Sequence, residues 1–475
     1  MGFEINDASL WSEEIFGSAE LGDKRLTKRL VSIGKQLSST TGASLSKSCA
    51  GDEALLEGSY RFLRNDKVKA NKIAESAYES ISRLAQASTL LLAIEDTTSI
   101  VYGHELSKQL GYTSNKVDAK QKGYQVHSTM LMDGITEKTI GLISQNRWCR
   151  ERDEYGKRAN RVKRLYEEKE SYKWEKNSHE LASRLGEKIK DTISVCDRDA
   201  DLYEYVQYKV ENNQRFIVRA CHDRRLENIE DTLFKHLADA SILGDYKIEI
   251  AQKSGRKKRE VELELRATTV TLVPPKRYNG EDNRLKAITI NIVHAKEKII
   301  KSDDYLEWIL LTTEKINTFE EARKVTRYYE LRWRIEDFHK AWKTGTKVEN
   351  LRMQSKDNLE KMIVILSFVA IRLLQLKEHF ELDSLSKACD SPHACSELLT
   401  EPEWKVLWQT TEKKQLPKNP PSAAWAFKAI AKLGGWTNSK RTGKASWATI
   451  WDGWFKLNER VQGFLLAQKL MEANL

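Results

Sequence analysis

Cysteine is scarce in this sequence, and no zinc-binding spacing is present. The 475 residues include six cysteines, none of them in a C-x-x-C pair or in a His and Cys cluster with the spacing of zinc ligands. The common structural zinc sites are therefore not expected. The cysteine pattern fits a reduced cytoplasm best, and we expect a cytoplasmic protein.

Long hydrophobic runs are absent as well. No apolar stretch reaches the roughly 18 residues of a membrane span, and the chain does not begin with the charged and then apolar pattern of a secretory signal. Internal repeats and low-complexity tracts are also missing. We therefore expect no membrane segment, and the length predicts about two to four domains.

The charge balance is moderately basic. Lys and Arg number 79 against 69 Asp and Glu, which gives a formal net charge of +10. A positive balance favours polyanionic partners. Because 31% of the residues are charged, most of this charge is solvated surface, so it agrees with a DNA partner without proving one.

The most informative segment runs from Tyr329 to Lys343 and reads Y-E-L-R-W-R-I-E-D-F-H-K-A-W-K. Tyr329, Arg332, Glu336 and Lys343 stand at offsets 0, 3, 7 and 14. On a helix these offsets fall on one face. We predict an exposed stripe in which Arg332 and Lys343 bind phosphate while Glu336 is a carboxylate in need of partners.

The partners predicted for Glu336 are Asp96 and Asp197. Each follows a short apolar run, LLLAI or ISVC, which is typical of a buried strand that stops at a polar residue. A lone Asp at a strand end is more often a cap. Together, however, the three carboxylates indicate a metal-dependent phosphodiester site.

Phosphodiester cleavage explains why three carboxylates are needed. Two Mg²⁺ ions about 3.5 to 4 Å apart can activate the attacking oxygen and stabilise the leaving oxygen. Hard cations prefer oxygen ligands, and Mn²⁺ can substitute for Mg²⁺. Other acids lie nearby, but strand alternation and the helical stripe favour the chosen three. These competing acids are Glu95, Asp199, Asp201 and Asp337.

The order of predicted elements indicates an α/β catalytic core. A helical segment over about residues 1–70 precedes three strands, a helix, a strand, a helix and a strand, the order of a ribonuclease-H-like mixed sheet. We expect this core over 71–372, with a β-rich insertion at about 221–313 that displaces the next helix. The flanking regions are predicted to be an N-terminal helical domain and a C-terminal helical domain, 373–475.

Two further segments have open interpretations. The predicted hairpin tip over 253–259, KSGRKKR, either contacts phosphate or is simply solvated. The amphipathic run from Trp454 to Met471 either pairs with another subunit or packs on its own domain.

These motifs resemble the DDE transposases of the bacterial insertion-sequence-four family. The resemblance rests on Y-x2-R-x3-E-x6-K, on A-I-E-D-T-T at Asp96, on C-D-R-D-A-D at Asp197 and on L-G-D-x-R-x-T-x-R-L ending at Leu30. It extends over essentially the whole chain. It implies that Asp96, Asp197 and Glu336 are the metal-binding catalytic triad, next to phosphate contacts from Tyr329, Arg332 and Lys343.

The resemblance also implies a mechanism. A water nicks one strand at the transposon end, the freed 3′-OH attacks the opposite strand to form a hairpin, a second water opens the hairpin, and the 3′-OH joins target DNA. A tryptophan of the insertion, here Trp308, fills the place of a flipped base. From its strand pattern alone, Trp308 is more often a core residue.

Further DNA contacts follow from the same resemblance. They fall near the scissile phosphates, on the catalytic helix and in the N-terminal domain that reads the terminal repeat. These residues are Arg198, Arg219, Trp333, Lys340, Arg29 and Arg61. The sequence departs from the family at Asp199 and Cys221, and the second departure weakens the expected phosphate groove near Arg219.

Three functions remain open from the sequence. The first is a cut-and-paste transposase that acts as a synaptic homodimer on terminal repeats and target DNA in the bacterial nucleoid. The second is a structure-selective nuclease with the same triad, and the third is a non-catalytic DNA-binding regulator. The intact triad argues against the regulator. Trp308 argues against the nuclease, because hydrolysis without a hairpin intermediate needs no tryptophan to fill the place of a flipped base.

Overall fold

The computed structural model describes residues 7–473 apart from several short segments. These segments are residues 41, 50, 115–119, 151–163, 251–258, 277–283, 300–304, 386–393, 398, 438 and 440–444. Residues 253–258 of the basic tip predicted over 253–259 lie outside the described residues.

The described strands, β1 to β11 in chain order, belong to one sheet. They are Leu91–Tyr102, Lys122–Asp133, Thr139–Trp148, Thr192–Cys196, Arg215–Arg219, Arg225–Leu226, Ile229–Thr232, Ile242–Ile250, Arg259–Leu272, Ile288–Glu297 and Glu307–Thr312. The α-helices, α1 to α14, surround this sheet and continue beyond it. They are Ala8–Phe16, Lys24–Ser39, Leu45–Ser48, Glu53–Arg64, Ala70–Ala85, Lys173–Leu185, Tyr203–Glu211, Leu233–Asp239, Phe319–Leu331, Arg334–Lys340, Lys356–Leu385, Glu401–Thr411, Ala423–Leu433 and Trp447–Ala473.

The first five strands form the predicted mixed sheet. Their spatial order is β3-β2-β1-β4-β5, with β1 antiparallel to β2 and parallel to β4, and with β4 parallel to β5. In the parallel segment, residues 91–94 of β1 and all of β4 are buried, as is typical of parallel strands that helices cover on both faces. The predicted ribonuclease-H-like α/β core is confirmed.

The β-rich insertion extends this sheet instead of forming a separate one. Strand β11 pairs antiparallel with β5, and β10, β9 and β6 follow outward, while β8 also pairs with β9. Arg259, at the start of β9, forms an ion pair with Glu297 at the end of β10. The insertion is therefore anchored directly beside the strand β5 of the core.

Helix α11 joins the N-terminal helices to the sheet. Its Phe368 ring lies 5.8 Å from the ring of Phe16 and 5.7 Å from that of Tyr78. The fully buried Lys361 donates a 2.7 Å hydrogen bond to the carbonyl oxygen of Leu63, at the end of α4. The helices α1 to α5, the sheet and α11 thus share one hydrophobic core.

The C-terminal helices α12 to α14 pack around a hydrophobic cluster of their own, which includes Trp404, Ile430 and Trp454. The far end of α14 exposes apolar side chains, among them Phe464 and Leu470. Among the described helices, none combines the length and apolarity that a membrane crossing requires.

The helix predicted between the third and fourth strands falls on the charged segment 154–184, and it is shorter in the described residues of that segment. Regular α-helix begins only at Lys173, after two short 3₁₀ turns at Tyr166–Glu168 and Glu170–Tyr172. Lys, Glu and Arg favour a helix by their propensity, but a buried face is needed to hold one. In α6 that face consists of Trp174, Leu181 and Leu185.

Candidate active site

Asp96 and Asp197 lie at the carboxyl edge of the parallel strands. The prediction that β1 stops at Asp96 was wrong, because residues 97–102 continue to pair with β2 as far as Tyr102. The parallel pairing of β1 with β4, however, ends at Ile94. Asp197 directly follows Cys196, the last residue of β4. Ligands commonly bind outside the carboxyl ends of parallel strands.

The helix that carries Glu336 is interrupted, so the predicted continuous helix was also wrong. Helix α9 ends at Leu331, α10 spans Arg334–Lys340, and a π-helical turn covers Ala341–Gly345. At the junction the amide of Trp333 donates to the carbonyl oxygen of Glu330, a tighter spacing than that of an α-helix. Glu336 therefore sits on a short helix with an irregular turn at each end.

Arg332 links the carboxylates from the strand and the helix. Its Nη1 lies 3.8 Å from Asp96 Oδ2, and its Nη2 lies 3.7 Å from Glu336 Oε1. Asp197 interacts electrostatically with both Asp96 and Arg332. The structure thus places residues from three distant parts of the chain around one guanidinium.

The two aspartates, Asp96 and Asp197, have raised pKa values. Burial, together with the negative charge of Glu336 and Asp197, raises the pKa of Asp96 to about 7, although Arg332 acts in the opposite direction. Burial also raises the pKa of Asp197, while the backbone amide of Asp199 donates a 2.9 Å hydrogen bond that opposes the rise. Clustered carboxylates that repel one another fit a divalent cation, whose charge would relieve the repulsion.

Three of the competing acids either interact with other groups of the protein or are exposed to solvent. Asp201 accepts hydrogen bonds from the amides of Cys221 and His222 and pairs with Arg224. Asp199 is exposed. Asp337 lies 3.1 Å from Lys377 Nζ.

Glu95, the remaining competing acid, points to the opposite face of β1 and is fully buried. Its Oε2 accepts a 2.9 Å hydrogen bond from Asn177 Nδ2. Strand alternation thus separates Glu95 from Asp96, as expected.

Tyr329 is buried, which corrects the prediction of a fully exposed stripe. Its ring meets the ring of Trp308 edge to face at 5.4 Å. Burial raises the pKa of Tyr329, while the nearby Arg332 and Arg219 lower it. Tyr329, Trp308 and Arg219 therefore form one group beside Asp197.

The other predicted DNA contacts on the catalytic helix lie in different settings. Burial lowers the pKa of Lys343, against the opposing effect of Glu349 and Glu336. The indole of Trp333 is exposed, and Lys340 Nζ lies 5.2 Å from its centre. These side chains present cationic and aromatic groups near Glu336.

Arg198, Arg29 and Arg61 are the remaining predicted DNA contacts. Arg198 is exposed immediately after Asp197. Arg29, on α2, lies so close to Gly58 of α4 that a Cβ at this glycine would be 2.6 Å from the guanidinium carbon. Arg61, one turn further along α4, pairs with Glu57 at 3.1 Å. The two N-terminal arginines thus belong to the α2 and α4 pair and not to the carboxylate cluster.

Two residues near the site escaped the sequence prediction. His339 Nδ1 lies 4.0 Å from Asp96 Oδ2, and its position three residues after Glu336 was the signal that could have identified it. Lys173 Nζ lies 5.6 Å from the ring of Trp174. Burial lowers the pKa of Lys173, while Glu170 and, more weakly, Asp199 and Asp197 raise it. No sequence spacing connects Lys173 to the aspartates, so only the fold brings them together.

Comparison with known protein families identifies two segments. Residues 8–68 match the family described as transposase DNA-binding, and residues 176–373 match the transposase DDE domain. The two matches support a DDE transposase. The DDE match includes Asp197 and Glu336, whereas Asp96 precedes it. The matches support an enzyme that cuts and joins nucleic acid with divalent metal ions and whose partner is DNA.

Proposed function

We propose that Asp96, Asp197 and Glu336 are the catalytic ligands of two Mg²⁺ ions, for which Mn²⁺ can substitute, in this DNA transposase. The observation that supports this most strongly is the approach of Asp96 and Glu336 to one buried guanidinium, with Asp197 at the end of the neighbouring strand. When bound, the two ions activate the attacking oxygen and stabilise the leaving oxygen of the phosphodiester.

The cations around the triad hold the DNA backbone. Arg332 neutralises Asp96 and Glu336 in the free protein and binds the scissile phosphate in the complex. Lys343 binds the adjacent phosphate, and its partial burial strengthens the contact because water screens it less. Tyr329 and Arg219 orient the same backbone from the side of β11. Arg198, Trp333 and Lys340 make outer contacts.

The chemistry that we propose passes through a DNA hairpin. Water first attacks one strand at the transposon end and releases a 3′-OH. The oxygen of this 3′-OH then attacks a phosphorus atom of the opposite strand, so that one P–O bond forms and another breaks. A second water opens the hairpin, and the same 3′-OH attacks target DNA. Trp308, partly buried against Tyr329, stacks in the gap left by a flipped base.

The flanking regions serve recognition and assembly in this proposal. Residues 1–70 bind the terminal repeat, with Arg29 and Arg61 as contacts, residues 71–372 are the catalytic domain, and residues 373–475 pair two subunits in a synaptic homodimer. We assign the chain to the insertion-sequence-four group, with the transposase of composite transposon five as the relative it resembles. Its place of action is the bacterial nucleoid in the cytoplasm.

The test is cleavage of a labelled duplex that carries the element's own terminal repeat, in the presence of Mg²⁺. We expect hairpin-ended products on a denaturing gel from the wild type and from Asp337→Asn, but not from Glu336→Ala. Simple nicks without hairpins would favour the structure-selective nuclease. Binding without any cleavage by the wild type would favour the regulator, and equal cleavage by Glu336→Ala would overturn the triad.

A further inference from the structure

His339 is a buried imidazole without a complete set of partners. Only 5% of the residue is exposed, and its Nε2 has no hydrogen-bond partner among the described residues. A buried nitrogen without a hydrogen-bond partner destabilises the folded state. Such groups in a native structure often serve a ligand.

The position of His339 points to the carboxylate cluster. It follows Glu336 by three residues on α10, so both side chains project from one face. Ligand atoms of Asp96, Glu336 and His339 all lie within 4.8 Å of one another. Ligands on one ion with bonds of about 2.1 Å can be no more than about 4.2 Å apart, so a small closure brings all three onto one ion.

A second cluster shows that proximity alone is insufficient. Ligand atoms of Asp201, Cys221 and His222 are equally close. There, however, Asp201 Oδ1 pairs with Arg224 and Oδ2 accepts two backbone amides. The carboxylate of that cluster already has its full set of partners, whereas His339 does not.

We infer that His339 supplies a nitrogen ligand to the metal ion held by Asp96 and Glu336. This inference rests on the proposed metal-dependent function and adds a ligand to it. Because Mg²⁺ prefers oxygen ligands, this nitrogen ligand should strengthen the binding of Mn²⁺ more than that of Mg²⁺ at the mixed nitrogen and oxygen site between Asp96 and Glu336.

The test is pulsed electron paramagnetic resonance of Mn²⁺ bound to the full-length protein, without DNA. A directly bound imidazole couples its ¹⁴N nucleus to the manganese, and incorporation of ¹⁵N-histidine shifts that coupling. We expect the histidine coupling in the wild type and in the control His179→Gln, whose side chain is exposed on α6. We expect its loss in His339→Gln, together with a weakening of Mn²⁺ binding on the order of tenfold and a smaller effect on Mg²⁺.

The outcomes separate this inference from the proposed function. If the wild type binds Mn²⁺ without histidine coupling, and Asp96→Asn weakens that binding, His339 is not a ligand but the carboxylate site stands. Persistence of the coupling in folded His339→Gln would also overturn the inference. If the wild type binds no Mn²⁺ at all, both proposals fail. The wild-type spectra decide against the inference even if the variant does not fold.

Discussion

Glu95 and Asp96 are neighbours on one strand but project from opposite faces of the sheet. The two carboxylates are surrounded by different kinds of groups. Glu95 is fully buried and receives a hydrogen bond from Asn177, with His127 Nε2 3.4 Å from its Oε2. Asp96 instead faces Glu336 and Asp197, two groups of its own charge.

The difference separates a structural acid from a functional one. On the Glu95 face the protein itself supplies a donor to Oε2, whereas Oε1 has no hydrogen-bond partner among the described residues. On the Asp96 face burial and the negative charges of Glu336 and Asp197 raise the pKa of Asp96, and the nearby Arg332 offsets this rise only in part, which weakens the metal-free fold. Acids that a fold compensates incompletely are candidates for function.

The largest expected effect is the difference in cleavage rate between the variants Asp197→Asn and Asp199→Asn. Asp197→Asn should lower the DNA cleavage rate at least about a thousandfold, because an amide is a poor ligand for the ions that carry the chemistry. Asp199→Asn should retain most activity, since the Asp199 side chain is exposed and only its backbone amide contacts Asp197. Initial rates on the terminal-repeat duplex measure both, and equal rates in the two variants would contradict the assignment.

A pH series on the metal-free protein sharpens the comparison further. The pKa of Asp96 rises from 3.8 unfolded to about 7 folded, so the folded state binds the proton more tightly. The stability due to this proton is present at low pH and is lost as the pH rises through about 7. Asp96→Asn should therefore unfold like the wild type near pH 4 and be more stable at pH 8, by roughly 2 to 4 kcal/mol.

Chemical denaturation at each pH measures this difference. Addition of Mg²⁺ at pH 8 should reduce it, because the bound cations stabilise only the wild-type carboxylate. The exposed Asp199→Asn is the control and should follow the wild type at every pH. Parallel curves for Asp96→Asn and the wild type would show that folding does not raise the pKa of Asp96.

A smaller effect is expected on the opposite face. Asn177→Ala removes hydrogen bonds to Glu95 Oε2 and to Thr129 Oγ1. Because Glu95 then loses a buried donor, the free energy of unfolding should fall by about 1 to 3 kcal/mol, while folded molecules keep their cleavage activity. Asn212→Ala, which removes an amide from an exposed helix end, is the control for denaturation. Loss of activity without loss of stability would assign Asn177 to the functional face.

The smallest effect concerns the exposed aromatic beside the site. Trp333 is 47% exposed, so Trp333→Ala should barely change stability. We expect DNA binding to weaken by about 1 kcal/mol, from the lost stacking and cation–π contact. Fluorescence anisotropy with a labelled terminal repeat measures this, and Ile135→Ala, an exposed apolar residue on the β2–β3 turn, is the control. Unchanged affinity would remove Trp333 from the interface.

Local sequence patterns predicted the fold where burial and periodicity agree. Apolar runs identified the parallel strands β1 and β4. The same patterns missed where β1 ends. Residues 97–99 are polar, so the apolar run ends before them, yet they still pair with β2.

The site itself was only partly readable from the sequence. Spacing brought Arg332 and Glu336 together, since both lie within two turns of one segment. It could not predict the break in that helix, nor the burial of Tyr329 against Trp308, because these depend on packing with the distant strand β11. Lys173 had no local signal at all.

The short helix α10 has a mechanical consequence. Asp96 sits within β1, where pairing with β2 holds its backbone in place. Glu336 sits on a helix of 7 residues bounded by an irregular junction and a π turn. Asp96 therefore has a fixed position in the site, whereas the helix that carries Glu336 can reorient at its two irregular ends. We expect small movements of Glu336 to let one active site accommodate the successive DNA substrates of cutting, hairpin opening and joining, while the sheet does not move.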